Sequence, residues 1–170
     1  MPCLICERIN MIKESSNPYY VHELETGYVV IGDYQHFYGY TLFLCKDHIT
    51  ELHHLPSEMK HKHLEEMALV YEAVYCAFKP EKMNCESLGN GDAHLHWHFF
   101  PRVSGDTPQV VPVWLLPKVE MYSDTKRPAP DELEKLKAKL KKEIERLVAY
   151  NTFSFRFAGS WRTGDLIIWR

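Results

Sequence analysis

The sequence predicts a single domain of the α+β class, and three observations support this class. Two apolar, β-rich runs lie at 28–31 and 40–45, and Gly32 and Gly39 interrupt the segment between them, as in a β-hairpin. A segment with the 3.6-residue period of an amphipathic helix follows at 57–79. A length of 170 residues and an apolar fraction of 45% suit one globular domain with a sizeable core.

The predicted first helix has Ser57 as its N-cap, and Pro80 lies just past its end. Its apolar face contains Met59, His63, Met67, Val70 and Val74. We expect four histidines around its start to be at the surface or partly packed: His53, His54, His61 and His63. Residues 82–90 then predict a short strand and a glycine-containing loop, which leads into a strand that begins at His94.

The last third of the chain combines a proline-rich connection, a helix and an aromatic tail. Residues 104–130 contain five prolines, which predicts loops with a short extended piece at 110–116. Leucine and isoleucine at helical spacing predict a second helix from Asp131 to Tyr150. The tail at 152–170 predicts two short strands joined by a glycine-containing turn, with Trp161 and Trp169 packed on the main body.

Charge and apolar patterning argue against two classes of partner. Lys and Arg number 20 against 23 acidic residues, which gives a net charge of −3, so the chain has no basic excess for binding a nucleic acid polymer. No stretch approaches the roughly 20 apolar residues that a membrane span needs. We therefore expect no membrane partner and a cytoplasmic location. The odd number of cysteines, five, indicates thiols or metal ligands and no structural disulfides.

The stretch "GNGDAHLHWHFFPR" at 89–102 places three histidines at every second position. Side chains alternate between the two faces of a strand, so His94, His96 and His98 line one face. Two chemistries fit such an array. The imidazoles can chelate a metal, with Asp92 as a further ligand, or one neutral imidazole can attack phosphorus while its neighbours hydrogen-bond the phosphate oxygens.

The sequence from His94 to Phe100 resembles the signature of the histidine-triad (HIT) family, in which three histidines alternate with apolar residues, and Pro101-Arg102 follows as in many members. The resemblance extends upstream through "GYTLFLCKDH" at 39–48 and "NCESLGN" at 84–90, and covers about residues 3–102. It implies a mainly antiparallel sheet of about five strands, with the 57–79 helix on one side. We therefore expect the chain to consist of a catalytic core at 1–103 and an extension at 104–170, which packs on the core so that the two form a single domain.

Family members hydrolyse or transfer nucleotides at the α-phosphate, and the resemblance implies the roles of particular residues. His96 is the nucleophile that forms a nucleotidyl-histidine, and His98 contacts the α-phosphate. Asn84 and Asn90 belong to the phosphate-side loop, and Asp33 or Gln35 contacts the ribose. Tyr40 departs from the family, because many members have a histidine at this position.

The Cys3-x-x-Cys6 pair by itself is a weak signal of metal binding, because two nearby cysteines arise easily. In zinc-carrying branches of the family such a pair joins two histidines, which correspond here to His48 and His94. Two thiolates and two imidazoles make a closed structural zinc site. The resemblance therefore implies one bound zinc ion. It also implies a purine nucleotide or dinucleotide as substrate, and a homodimer.

The leading functional hypothesis is hydrolysis of a dinucleoside polyphosphate, or of a nucleoside phosphoramidate or adenylate. A second hypothesis is a metal-dependent hydrolase that uses the three histidines as ligands. A third is a nucleotide-binding or scaffold protein without catalysis.

Overall fold

The computed structural model describes residues 3–109 and 111–158, which form a five-stranded antiparallel sheet with helices. The strands are β1 (Tyr20–Glu23), β2 (Gly27–Ile31), β3 (Thr41–Cys45), β4 (Lys82–Glu86) and β5 (His96–Arg102), and the helices are α1 (Leu4–Lys13), α2 (Ser57–Phe78), α3 (Lys118–Met121) and α4 (Pro130–Ala158). The strand order across the sheet is β1-β2-β3-β5-β4, so β5 lies between β3 and the edge strand β4. The predicted α+β class is confirmed. None of the described helices is long and apolar enough to cross a bilayer.

One face of the sheet carries the main core. Side chains from β2, β3 and β5 pack there against α2 and α4, and the fully buried members larger than alanine are Val29, Ile31, Phe43, Phe99, Val70, Val74, Leu136, Leu140 and Ile144. Burying each of these side chains stabilises the fold by roughly 1.5–3 kcal/mol relative to exposure. The leucines of α4 therefore share one core with the strand that carries the histidines.

The opposite face of the sheet is covered only in part. Ile5 and Ile9 of α1 pack there on Tyr28, Val30 and Leu44 of β2 and β3. Leu44 pairs with His96 and Leu42 with His98, and directly paired residues of antiparallel strands point to the same face. The histidines of β5 thus lie on this second face, beside the part that α1 covers.

The observed elements differ from the predicted ones at several places. Helix α1 and strand β1 were not predicted, because elements of ten and four residues are too short to repeat a period clearly. Pro56 is the N-cap of α2, and Ser57 is its first helical residue. Residues 113–115 form a 3-10 turn where an extended piece was expected. Helix α4 continues to Ala158, so no strand begins at 152; no glycine or proline stands between 131 and 158 to end it. The rest of the predicted tail, with Trp161 and Trp169, lies outside the described residues.

His63 is fully buried, which contradicts the expectation of a surface or partly packed residue. Its Nε2 accepts a hydrogen bond from Trp97 Nε1 at 3.1 Å, so in the neutral ring Nδ1 carries the proton and donates to Thr26 Oγ1 at 2.9 Å. Thr26 Oγ1 in turn donates to Glu66 Oε2 at 2.6 Å. A satisfied chain of hydrogen bonds therefore links Trp97 of β5 to α2, and the helical period alone did not reveal these partners.

We expect His63 to make the protein acid-sensitive. Burial lowers the pKa of His63 to about 4, below the 6.5 of an exposed histidine. The unfolded chain therefore binds a proton first as the pH falls, and stability that is present above pH 6.5 is lost progressively toward pH 4, by up to about 3 kcal/mol. Urea unfolding between pH 4 and 7 should show a smaller pH dependence in His63→Gln than in the wild type. Equal pH dependence in the two proteins would contradict this account.

Candidate functional site

The three histidines occupy two different environments. His96 and His98 lie in β5 and share one face, as the alternation predicted. His94 precedes the strand, and its ring faces Cys3 and Cys6 at the start of α1. Trp97, which lies between His96 and His98, and Phe99, which follows His98, point to the other face and contact the main core. Of the three histidines, His94 thus lies at the two cysteines, and His96 and His98 lie on the second face of the sheet, which α1 covers only in part.

His96 is held in one tautomer by the backbone. Its Nδ1 is 2.6 Å from the carbonyl oxygen of His94, and a carbonyl oxygen only accepts, so Nδ1 carries the proton. Nε2 of the neutral ring then has a free lone pair. The side chain is buried, with 6% exposure, and its ring centroid lies 4.6 Å from that of His98. A ring fixed in this way presents a nucleophilic nitrogen in a defined direction.

His98 is held by Tyr40. The Tyr40 hydroxyl lies 2.6 Å from His98 Nδ1, and the Tyr40 ring stacks on Phe100 with centroids 4.5 Å apart. Burial, together with the neighbouring His96, lowers the pKa of His98 to about 3. His98 is therefore a neutral imidazole near pH 7.

Cys3, Cys6, His48 and His94 form a cluster that can hold a metal ion, and their ligand atoms all lie within 4.8 Å of one another. Among the described residues this is the one group of three or more His, Cys, Asp or Glu side chains with such an arrangement. Cys3 is the N-cap of α1, and Cys6 lies in its first turn. His48 follows β3, and His94 precedes β5, so the cluster joins three elements of the fold.

The distances in this cluster fit a tetrahedral ion. Zinc–sulfur bonds of about 2.3 Å and zinc–nitrogen bonds of about 2.0–2.1 Å place S and N about 3.6 Å apart at the tetrahedral angle. Cys6 Sγ lies 3.3 Å from His48 Nδ1 and 3.5 Å from His94 Nδ1, and Cys3 Sγ lies 3.6 Å from His94 Nδ1. His94 Nε2 donates to the Cys45 carbonyl oxygen at 2.8 Å, which leaves Nδ1 unprotonated as a ligand requires.

Asp92 is not a fifth member of the cluster. Its Oδ1 accepts a hydrogen bond from the backbone N–H of Leu4 at 2.8 Å. A carboxylate is favourable at a helix N-terminus, because the first N–H groups of the helix have no intrahelical acceptor. Asp92 therefore fastens the loop before His94 to α1 and does not join His96 and His98.

A cavity of about 220 Å³ lies beside the histidines on the same face. Its floor includes Leu42 and Leu44, which pair with His98 and His96. The remaining walls are mainly apolar and aromatic and include Ile5, Val30, Tyr19, Tyr34, Tyr40 and Tyr122. A cavity of this volume with a largely apolar and aromatic lining suits the ring of a nucleobase.

Asp33 and Gln35, the two predicted ribose contacts, have different surroundings. Asp33 lines the cavity and forms ion pairs with Arg8 and Arg127. Gln35 is used within its own loop: Nε2 donates to the carbonyl oxygens of Gly32 and Tyr40, and Oε1 accepts from the N–H of Gly39. Of the two, Asp33 is the residue that faces the cavity.

The structure does not bring the predicted loop residues Asn84 and Asn90 to His96. Asn84 pairs with Phe100, four residues from His96 along β5 and thus about 13 Å away, and its Oδ1 accepts from Arg102. Asn90 is exposed in the loop between β4 and β5. Their roles in substrate binding stay predictions. Glu86 stands opposite His98, and burial raises its pKa.

Two contacts of His96 and His98 with β4 and the residue after it were not found from the sequence, because they depend on strand register. The Ser87 hydroxyl donates to the His96 carbonyl oxygen at 2.8 Å, and Glu86 is the residue paired with His98. The pairing of β4 with β5 sets both contacts, and the sequence pattern did not fix that pairing. A larger cavity of about 800 Å³ follows β4 past Asn84 and Arg102. No triad histidine is among the lining residues of either cavity, but the smaller one is lined by Tyr40, which contacts His98, and by Leu42 and Leu44, which pair with His98 and His96.

A family model described as "HIT domain" matches residues 26–105. A histidine triad protein from Marinobacter aquaeolei VT8 has a similar structure, with 26% identity and a TM-score of 0.62 over 75% of this chain and 89% of that chain. A hypothetical histidine triad nucleotide-binding protein from Sulfolobus tokodaii shares 21% identity, with a TM-score of 0.64 over 84% of this chain and 93% of that chain.

A Zn-bound histidine triad family protein from Mycobacterium smegmatis also has a similar fold. It shares 19% identity, with a TM-score of 0.59 over 88% of this chain and 98% of that chain. No curated protein matches the chain.

Proposed function

Since this chain belongs to the histidine-triad family, whose domain it carries at 26–105, we propose that it hydrolyses nucleotides at the α-phosphate through a nucleotidyl-histidine intermediate. The family generally hydrolyses or transfers nucleotides. The proposed substrates are dinucleoside polyphosphates and nucleoside phosphoramidates or adenylates. The observation that carries the proposal is the fixed tautomer of His96, which leaves one ring nitrogen free beside a nucleobase-sized cavity.

The proposed reaction has two steps. The Nε2 lone pair of His96 attacks the α-phosphorus, and the bond from phosphorus to the leaving group breaks, with its electron pair going to the leaving group. The proton on His96 Nδ1 stays on that nitrogen, hydrogen-bonded to the His94 carbonyl oxygen, throughout. Water then attacks phosphorus and releases a proton to the solvent, the phosphorus–nitrogen bond breaks, the electron pair returns to Nε2, and the nucleoside monophosphate departs. A phosphate acceptor in place of water would make the enzyme a transferase.

The other site residues serve binding and charge stabilisation in this proposal. His98 donates a hydrogen bond to a phosphate oxygen, where negative charge develops. The base occupies the cavity over Leu42 and Leu44, and Asp33 accepts hydrogen bonds from the ribose hydroxyls. A ribose has to compete there with Arg8 and Arg127 for the same carboxylate.

We also propose that Cys3, Cys6, His48 and His94 bind a structural zinc ion. The donor set of two sulfurs and two nitrogens and the separations of 3.3–3.6 Å support it. All four tetrahedral positions are filled by protein, so no open position remains for substrate. The zinc would fix the segment that carries the His94 carbonyl and, through it, the orientation of His96.

The geometry weighs against the three histidines acting together as metal ligands. His94 Nδ1 is directed to the cysteines and His94 Nε2 donates to the Cys45 carbonyl oxygen, so neither ring nitrogen of His94 is available to share an ion with His96 and His98. The division into a 1–103 core and a packed 104–170 extension remains our proposal, and the burial of Leu136, Leu140 and Ile144 in the main core supports it. The homodimer stays a prediction.

Mass spectrometry of base-quenched protein tests the proposed intermediate, because the phosphorus–nitrogen bond is stable in base and is hydrolysed in acid. Wild-type protein mixed with diadenosine tetraphosphate should carry a covalent adenylyl group on the peptide that contains His96. The adduct should be absent in His96→Gly and present in His61→Gly, because His61 is an exposed residue of α2. Hydrolysis by the wild type without an adduct, combined with activity that chelation abolishes and added metal restores, would favour the metal-dependent alternative.

A further inference from the structure

We propose that Tyr40 is a positioning residue that fixes His98 as a neutral hydrogen-bond donor, and that this pair makes the enzyme selective for leaving groups that depart without taking up a proton. Phosphate and carboxylate leaving groups belong to this class, and amines do not. The inference deepens the proposed function and rests on it.

Tyr40 is locked in place by its surroundings. Its side chain is 8% exposed, and its ring lies parallel to that of Phe100, with an angle of 2° between the planes. On another side it touches the backbone of Gly32, where an added Cβ would lie 2.1 Å from Tyr40 Cδ1. The absence of a side chain at Gly32 therefore makes room for the ring, and the hydroxyl is held 2.6 Å from His98 Nδ1.

The direction of this hydrogen bond sets the tautomer of His98. Within the described part of the chain, His98 Nδ1 is the one hydrogen-bond partner of the Tyr40 hydroxyl. Burial raises the pKa of Tyr40 well above its usual value, so the hydroxyl keeps its proton. The buried hydroxyl is satisfied only if it donates this proton to Nδ1. The proton of neutral His98 then sits on Nε2, which is the nitrogen left for a phosphate beside His96.

His98 in this state can donate a hydrogen bond but is a poor source of a proton. Its pKa of about 3 means that no imidazolium is stored near neutral pH. Transfer of the Nε2 proton would require Nδ1 to take the proton of Tyr40, which would leave a buried tyrosinate. Burial opposes both the imidazolium and the tyrosinate, because each carries a charge.

The leaving group must then accommodate the electron pair by itself. When His96 Nε2 bonds to phosphorus, the pair of the broken bond goes to the bridging atom of the leaving group. A phosphate or carboxylate oxygen holds this pair as a stable anion, whereas an amine nitrogen must first gain a proton. Glu86 faces His98 from β4, and a proton from this carboxyl would remove the discrimination. The two substrate classes therefore differ in how much they depend on a proton donor.

Two substrates that transfer the same adenylyl group test the selectivity: diadenosine tetraphosphate and adenosine 5′-phosphoramidate. For the wild type we expect kcat/KM to be at least about tenfold higher for the first. Tyr40→Phe should lower kcat for diadenosine tetraphosphate about tenfold with little change in KM, since it removes one hydrogen bond and keeps the stacked ring. Tyr40→His should narrow the ratio of the two kcat/KM values, because an imidazole can carry the proton that an amine leaving group needs. Equal kcat/KM values in the wild type would overturn the selectivity.

Nitrogen-15 NMR of the histidine rings tests the tautomer without reference to activity. The wild type should show His98 protonated at Nε2, and Tyr40→Phe should show a mixture of tautomers. A wild-type His98 protonated at Nδ1 would overturn the role of Tyr40. If the wild type hydrolyses neither nucleotide, the proposed function and the selectivity both fail, and the NMR signal still decides whether Tyr40 fixes His98. Near-ultraviolet circular dichroism of Tyr40→Phe verifies that the fold is retained.

Discussion

Replacement of His96 by glutamine is expected to lower kcat for diadenosine tetraphosphate at least about 10³-fold. Glutamine fills a similar volume and can still donate to the His94 carbonyl oxygen, but the lone pair of its amide nitrogen is delocalised into the carbonyl group and does not attack phosphorus. The covalent route is then closed, and only binding and the hydrogen bond from His98 remain to accelerate hydrolysis. Steady-state release of adenosine monophosphate, measured by chromatography, gives kcat and KM separately.

The matched control for this variant is His61→Gln, which changes an exposed histidine of α2. Its kcat should equal that of the wild type, and both variants should unfold at the wild-type urea concentration. A His96→Gln protein that keeps more than about a tenth of the wild-type kcat would exclude His96 as the nucleophile. An intact fold with lost activity separates the chemical role of His96 from any structural one.

The second large effect is expected at the metal cluster. Cys6→Ser should reduce bound zinc from about one ion per chain to near zero and lower the free energy of unfolding by about 3 kcal/mol or more. The physical reason is that Cys6 Sγ lies within 3.5 Å of both His48 Nδ1 and His94 Nδ1, so its replacement removes a ligand adjacent to both histidines. Plasma emission spectrometry on protein prepared without a histidine tag measures the zinc, and urea unfolding measures the stability.

Cys85→Ser is the control for the cysteine substitution, because Cys85 is an exposed thiol on β4 outside the cluster. It should keep the zinc and lose little stability. Zinc near zero in a wild-type protein with an intact fold would contradict the proposed site. Activity should fall in Cys6→Ser as well, since the His94 carbonyl that orients His96 lies in the segment that the ion would hold.

Much of the fold was predictable because its signals are local. The helix at 57–78 and the hairpin strands at 27–31 and 41–45 follow from patterns of apolar residues within a few turns or strand positions. Helix α1 and strand β1 were missed, since short elements carry too few periodic residues. The tail was predicted to form two short strands from 152, but α4 extends through the start of this segment to Ala158.

The candidate site was predictable in part. What could not be predicted was the register in which the strands pair. The sequence grouped Cys3, Cys6, His48 and His94 only through the family resemblance, and the structure brings their ligand atoms together. Asn84 was assigned to the phosphate-side loop, yet its pairing with Phe100 places it far from His96. A shift of two residues along β4 separates Asn84 from Glu86, which faces His98, and such a shift leaves the pattern of the strand unchanged.

The burial of His63 in α2 also could not be predicted from the sequence. Helical spacing placed His63 on the apolar face, but spacing carries no information about a hydrogen-bond partner on a distant strand. Only the packing of α2 on the sheet brings Trp97 and Thr26 to its two ring nitrogens. That packing turns a residue expected at the surface into one of the most buried side chains.

The sequence by itself predicted that His94, His96 and His98 share a strand face, which holds for His96 and His98, whereas His94 precedes the strand. It also determined that Trp97 and Phe99 point toward the core and which segments form the long helices. These properties follow from the two-residue period of a strand and the 3.6-residue period of a helix. The tertiary structure alone decided which nitrogen of His96 is free, which hydroxyl holds His98, and that His94 turns toward the cysteines. Each of these depends on atoms that are distant in the chain or on backbone geometry, and only the packing of the whole domain sets such contacts.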